Sequence, residues 1–152
     1  MNNHYHLLVE TPEPNLVAGM QWLQNTYTRR FNTRHQLWGR VFGDRYKAVL
    51  VEGDSAYYYE TLVDYIHLNP VRARLIKPRQ KQSLLEYPWC SIAGGYALPP
   101  QRRAPWLVAE RGLKAFGFGD DTAGRRKFVA RLNRRAVEEE RARPGSSLCR
   151  RK

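Results

Sequence analysis

Cysteine is nearly absent from this chain. Among 152 residues there are two, Cys90 and Cys149, far apart and outside any CxxC pair. That excludes a disulfide framework and a thiolate zinc site, and both are expected to be reduced thiols. No apolar run approaches the ~18 residues needed to span a bilayer, and the N-terminus has no basic start followed by an apolar stretch. A soluble, cytoplasmic protein without membrane partners is expected. There is no glycine-rich phosphate loop and no internal repeat. Acidic residues are missing from two long stretches, Pro14 to Gly43 and Tyr65 to Leu85.

Positive charge fills those stretches. The chain has 26 Lys and Arg against 14 Asp and Glu, a formal net charge of +12. So large an excess on so small a chain points to a polyanion, and arginine, which dominates here, suits bidentate phosphate and guanine contacts. Candidate DNA contacts are Arg29, Arg30, Arg34 and Arg40 in the first stretch, Arg45 and Lys47 just after it, and Arg72 and Arg74 in the second. The alternative is a basic, solvated surface. Trp38 and Phe42 lie among Arg34, His35 and Arg40, where aromatics either stack on bases or anchor a long loop.

Hydrophobic periodicity predicts the elements. His4 to Val9 alternates at period two, a strand with His4, His6 and Leu8 on one face. Thr11-Pro12-Glu13-Pro14 turns the backbone away. Leu16, Met20, Leu23, Tyr27 and Phe31 then mark a buried stripe on a helix ending near Asn32. Arg45 to Val51 reads as a second strand inside a sheet. A helix runs from Ser55 to about Leu68, where Pro70 should end or kink it, with Val71 to Ile76 resuming as a short helix. Residues 78–86 form a polar connector. Trp89, Tyr96 and Trp106 are expected to pack an irregular segment onto the main domain, and Trp106 to Phe116 can form a short helix. A last, basic helix spans about Asp121 to Ala142, its exposed arginines either solvated or in contact with nucleic acid. This divides the chain into a domain over 1–86, a helical, aromatic-rich basic extension over 87–142, and a disordered tail over 143–152.

Two imidazoles on one strand face stand roughly 6.5–7 Å apart, close enough to lean onto one ion. Tyr65 and Asn69 are four apart and so share a helix face. If that face covers the open side of the sheet, Asn69 adds a carbonyl oxygen to His4 and His6, and Tyr65 places its hydroxyl alongside. The chemistry this suggests is metal-assisted attack of a tyrosine on a phosphodiester, because a phenol, with an ordinary pKa of about 10, needs help to act at neutral pH. Tyr57, Tyr58 and Tyr59 are rivals on the same helix, but none precedes an Asn-Pro. His67 lies on another helical face, either a further ligand or a surface contact to DNA phosphate.

The string His4-Tyr5-His6, followed by Tyr65-Ile66-His67-Leu68-Asn69-Pro70-Val71-Arg72-Ala73, resembles the single-tyrosine HUH transposases of the insertion-sequence-200-like superfamily. The likeness is greatest to their REP-associated branch, and Gly43-Asp44-Arg45-Tyr46-Lys47 and Tyr87-Pro88-Trp89-Cys90-Ser91 extend it over roughly the first hundred residues. The resemblance implies an α+β fold, a ferredoxin-like or RRM-like antiparallel sheet with helices on one face, joined to a mostly helical C-terminal extension. It implies Mg²⁺ or Mn²⁺ on His4, His6 and Asn69, although two imidazoles favour Zn²⁺ or Mn²⁺ over Mg²⁺. It implies Tyr65 as the nucleophile that cleaves single-stranded DNA beside a hairpin, through a 5′-phosphotyrosine and a free 3′-OH. Members carry a strand and a helix before the histidine strand. Their absence here implies an upstream start or a decayed gene, so the alternative function is a non-catalytic DNA-binding remnant. A metal-dependent phosphoesterase that uses water is a third reading. A monomer and a homodimer are both compatible with the sequence.

Overall fold

The computed structural model of the chain describes residues 4–43, 45–51 and 56–142. Four α-helices appear in it: α1 Leu16–His35, α2 Ala56–Arg72, α3 Glu110–Ala115 and α4 Thr122–Ala142. Single helical turns lie between α2 and α3, at Pro78–Gln80, Leu84–Glu86, Ile92–Tyr96 and Pro100–Arg102. The expected α+β, ferredoxin-like sheet is corrected: 59% of the described residues are helical and none of them lies in a strand. Residues 4–10 and 45–51 have no regular secondary structure. Alternation sorts side chains onto two faces, but a sheet also needs a second backbone about 4.8 Å away. Here Tyr5, Leu7, Val49 and Leu50 are all exposed.

The chain forms two compact units. One is Leu7–Leu50; the other joins the described residues up to His6 with those from Val51 onward. In the first unit α1 carries the predicted stripe, yet only Met20 is buried, while Leu23 and Tyr27 are exposed. Tyr27 stacks along the helix on Phe31 and meets Phe42 from the following loop, ring centres 5.8 and 5.6 Å apart. The helix closes with Gln36 in the left-handed region, and the Leu37 amide donates to the Asn32 carbonyl.

The second unit is organised by α2 and α4. Buried positions on α2 are Val63, Asp64, His67, Leu68, Pro70 and Val71; on α4 they are Gly124, Arg125, Phe128, Leu132 and Ala136. Spacings of three, four and one place each set on a single stripe. Two ion pairs fix the register. Arg131 donates to both Asp64 oxygens at 2.6 and 2.9 Å, and Arg72 donates to both Glu139 oxygens at 2.8 and 3.3 Å. Asp64 and Arg72 are eight residues apart, as are Arg131 and Glu139. The paired residues advance together, so the two helices run in the same direction, their clamps roughly 12 Å apart along the axes. The basic helix therefore directs Arg131 into the protein rather than to a solvated or DNA-facing surface.

At the centre Phe128 is fully buried, with Tyr96 stacked at 5.1 Å and His67, Phe116 and Phe118 around it. Of the aromatics expected to anchor the segment after 87, Tyr96 does so, but Trp89 and Trp106 are exposed. The connector is tied down by its own capping box, Ser83 with Glu86, and by Asn133 of α4, which accepts from the Leu84 amide.

Helix α2 also departs from expectation at its end. It continues through Pro70 to Arg72 and stops in a Schellman cap: the Leu75 amide donates to Pro70 O, the Arg74 amide to Val71 O, and Arg74 lies at φ 59°. Pro70 lacks only the donor that would have served the previous turn. No short helix resumes over 71–76.

Candidate functional site

Every residue proposed from the sequence for chemistry lies in the second unit. Tyr65 and Asn69 stand one turn apart on α2, on the side of the helix opposite positions 63, 64, 67, 68 and 71. Tyr65 is 42% exposed, open enough for a substrate to reach. The segment at His4 and His6 runs past it. The two imidazoles meet edge to face with ring centres 5.2 Å apart, and the His6 ring meets Tyr65 in the same manner at 5.3 Å. Arg72, two turns after Tyr65, holds its guanidinium 4.9 Å from the centre of the Tyr65 ring. The convergence of His4, His6 and Tyr65 does not depend on a sheet.

Electrostatics favour a neutral His6. Burial lowers its pKa, and the neighbouring His4 lowers it further. A neutral imidazole has a lone pair to offer. Coordinated imidazole nitrogens sit about 2.0–2.2 Å from an ion, which puts each ring centre roughly 3.2 Å from it and two ring centres roughly 4.5–5.3 Å apart. The observed 5.2 Å falls within that range. Among the described residues no three His, Cys, Asp or Glu side chains cluster to hold an ion, so the pair needs a donor of another type. Asn69, expected from the sequence in that role, has its Nδ2 buried with no hydrogen-bond partner. The spacing of the His4 and His6 rings is thus compatible with a shared ion.

The remaining sequence candidates divide differently. Arg29, Arg30, Arg34, Arg40, Arg45 and Lys47 are all exposed and belong to the first unit. There an open groove of about 460 Å³ beside α1 is lined by Gln24, Asn25, Thr28, Arg40 and Arg45 among others. Trp38 is 97% exposed and available for stacking, whereas Phe42 is used by Tyr27. Arg74 is exposed. Arg72 is not a simple surface cation, since Glu139 and Tyr65 both engage it.

His67 is corrected. It is 2% exposed, neither a surface residue nor a phosphate contact. Its Nε2 is 2.9 Å from Ser91 Oγ and its ring meets Tyr96 at 4.8 Å. Burial pushes its pKa down to about 4, only partly offset by a backbone hydrogen bond and the Asp64 carboxylate. It is a neutral strut between α2 and the 87–91 segment. Sequence reasoning did not find Glu139 or Ser91. Pairings 67 and 24 residues apart leave no local periodicity to read. No helix among the described residues is long and apolar enough to cross a membrane. Compared with family models, with curated proteins and with solved structures, the chain matches none.

Proposed function

We propose that this chain is a cytoplasmic DNA strand-transfer enzyme of the transposase type, cutting single-stranded DNA near hairpins with Tyr65 as nucleophile. The observation that carries the reading is the exposed phenol of Tyr65, set between the imidazole of His6 and the guanidinium of Arg72. The motif resemblance and the charge of +12 agree with it. Tyr65 Oη forms a bond to phosphorus as the bond from phosphorus to the 3′ oxygen breaks. The phenolic proton passes to solvent and the leaving oxygen takes one up as a 3′-OH, so a 5′-phosphotyrosine remains. Reversal by a 3′-OH rejoins strands without ATP. Held by His4, His6 and Asn69, Mg²⁺ or Mn²⁺ would supply charge withdrawal from a non-bridging phosphate oxygen.

The test is a denaturing gel of the full chain with Mn²⁺ and a labelled single strand carrying a REP-type hairpin and its flank. A metal-dependent protein–DNA band is expected, lost in Tyr65→Phe. A band that persists in Tyr65→Phe would remove Tyr65 from the reaction. Binding without any band would favour the non-catalytic DNA-binding reading.

A further inference from the structure

We infer that Arg72 is a catalytic residue that clamps the scissile phosphate beside Tyr65, and that Glu139 is the positioning residue that presents it; this rests on the strand-transfer reading above. Three features combine at this one side chain. Its guanidinium lies 4.9 Å from the Tyr65 ring centre, within the range of a cation–π contact. Glu139, from α4, takes the Nε and Nη2 hydrogen bonds at 2.8 and 3.3 Å. Arg72 Nη1 has no hydrogen-bond partner among the described residues.

An arginine engaged along its Nε–Nη2 edge cannot swing freely, since two parallel bonds fix the plane of the fork. The pair is about four-fifths buried on both sides, which limits competition from water. What the clamp leaves without a protein partner is the Nη1 end of a guanidinium held over the Tyr65 ring. A phosphodiester poised for in-line attack must bring its phosphorus within roughly 3–3.5 Å of Tyr65 Oη, with its anionic oxygens alongside. Charge on those oxygens shifts as the P–O3′ bond breaks, and a fixed N–H donor there stabilises the transition state. No further co-reactant is needed: Arg72 keeps its proton throughout, and the bond changes are those of the Tyr65 step. Arg74 lies only two residues on, but the Schellman cap places it beyond the end of α2.

The experiment measures single-turnover adduct formation and strand affinity for the wild type, Arg72→Lys and Glu139→Gln, with thermal melts of each. Two strands are used, one natural and one with a neutral methylphosphonate at the scissile position. On the natural strand Arg72→Lys is expected to slow the adduct about 100-fold and Glu139→Gln about 10-fold, with strand affinity within about 3-fold of wild type. On the methylphosphonate the wild type and Arg72→Lys should converge, because the charge that Arg72 meets has gone. Rates of the variants within about 3-fold of wild type on the natural strand, or a wild-type to variant ratio unchanged by methylphosphonate, would overturn the proposal. If Arg72→Lys does not fold, Glu139→Gln carries the same comparison, since its amide keeps one hydrogen bond to the guanidinium while releasing its orientation. Failure of the strand-transfer reading is distinct: the wild type itself would then form no Tyr65-dependent adduct.

Discussion

At the scale of the residue, most of the chemistry of this protein depends on which polar side chains were taken out of water. His67 shows the energetic consequence. Folded, it titrates at about 4, against an ordinary value of 6.5, because burial disfavours its charged form. Between those values the unfolded chain binds a proton that the folded chain does not. The stability linked to His67 is thus full above pH 6.5 and is lost progressively as pH falls toward 4, by about 3 kcal/mol over the whole window. Asp120 is held below the usual carboxylate range by hydrogen bonds from Arg103 and Arg125, so most of its loss comes at lower pH. Thermal midpoints measured from pH 7 to 4 should fall more steeply for the wild type than for His67→Gln, which has nothing to protonate there. Parallel curves for the two would show that His67 does not control the acid limb. The same burial that silences His67 leaves Tyr65, two positions earlier, at the surface.

At the scale of the element, α2 and α4 show that local rules set helix content while neighbours set its limits. Pro70 is disfavoured in a helix interior, yet it lies inside the last turn of α2 because the Schellman cap over 70–75 satisfies the end of the helix. On α4, helix propensity alone predicts that Gly124→Ala is stabilising, by about 1 kcal/mol. The structure predicts the opposite sign. A Cβ at Gly124 would collide with the backbone carbonyl of Gly119, which cannot rotate away as a side chain could. Urea denaturation should find Gly124→Ala destabilised by about 1–3 kcal/mol, with Gly94→Ala, where a Cβ meets nothing within 4 Å, close to wild type. A Gly124→Ala protein as stable as wild type would mean that the chain at Gly119 can withdraw from α4 at no cost.

At the scale of the whole molecule, charge is the dominant property: +12 over 152 residues, with the exposed arginines Arg29, Arg30, Arg34 and Arg40 in the Leu7–Leu50 unit and the candidate site in the other. Affinity for single-stranded DNA should fall with salt, the logarithmic slope being about −0.7 per phosphate neutralised. Replacing Arg40 by Gln should reduce that slope by about one phosphate's worth without affecting adduct chemistry at Tyr65. A salt-independent affinity would remove the phosphate-contact role of these arginines. The sequence by itself located α1, α2 and α4 to within a few residues, because apolar spacing acts within a few positions, and it singled out His4, His6, Tyr65 and Asn69 as types suited to one chemistry. The tertiary structure alone decided three other matters. Residues 4–10 and 45–51 are not strands, because pairing depends on a distant backbone. His67 is a buried strut, because Ser91, Tyr96 and Phe128 close over it. Arg72 faces Tyr65, because Glu139, 67 residues away, holds its other edge. Each of these rests on contacts between residues far apart in the chain, which no local pattern encodes.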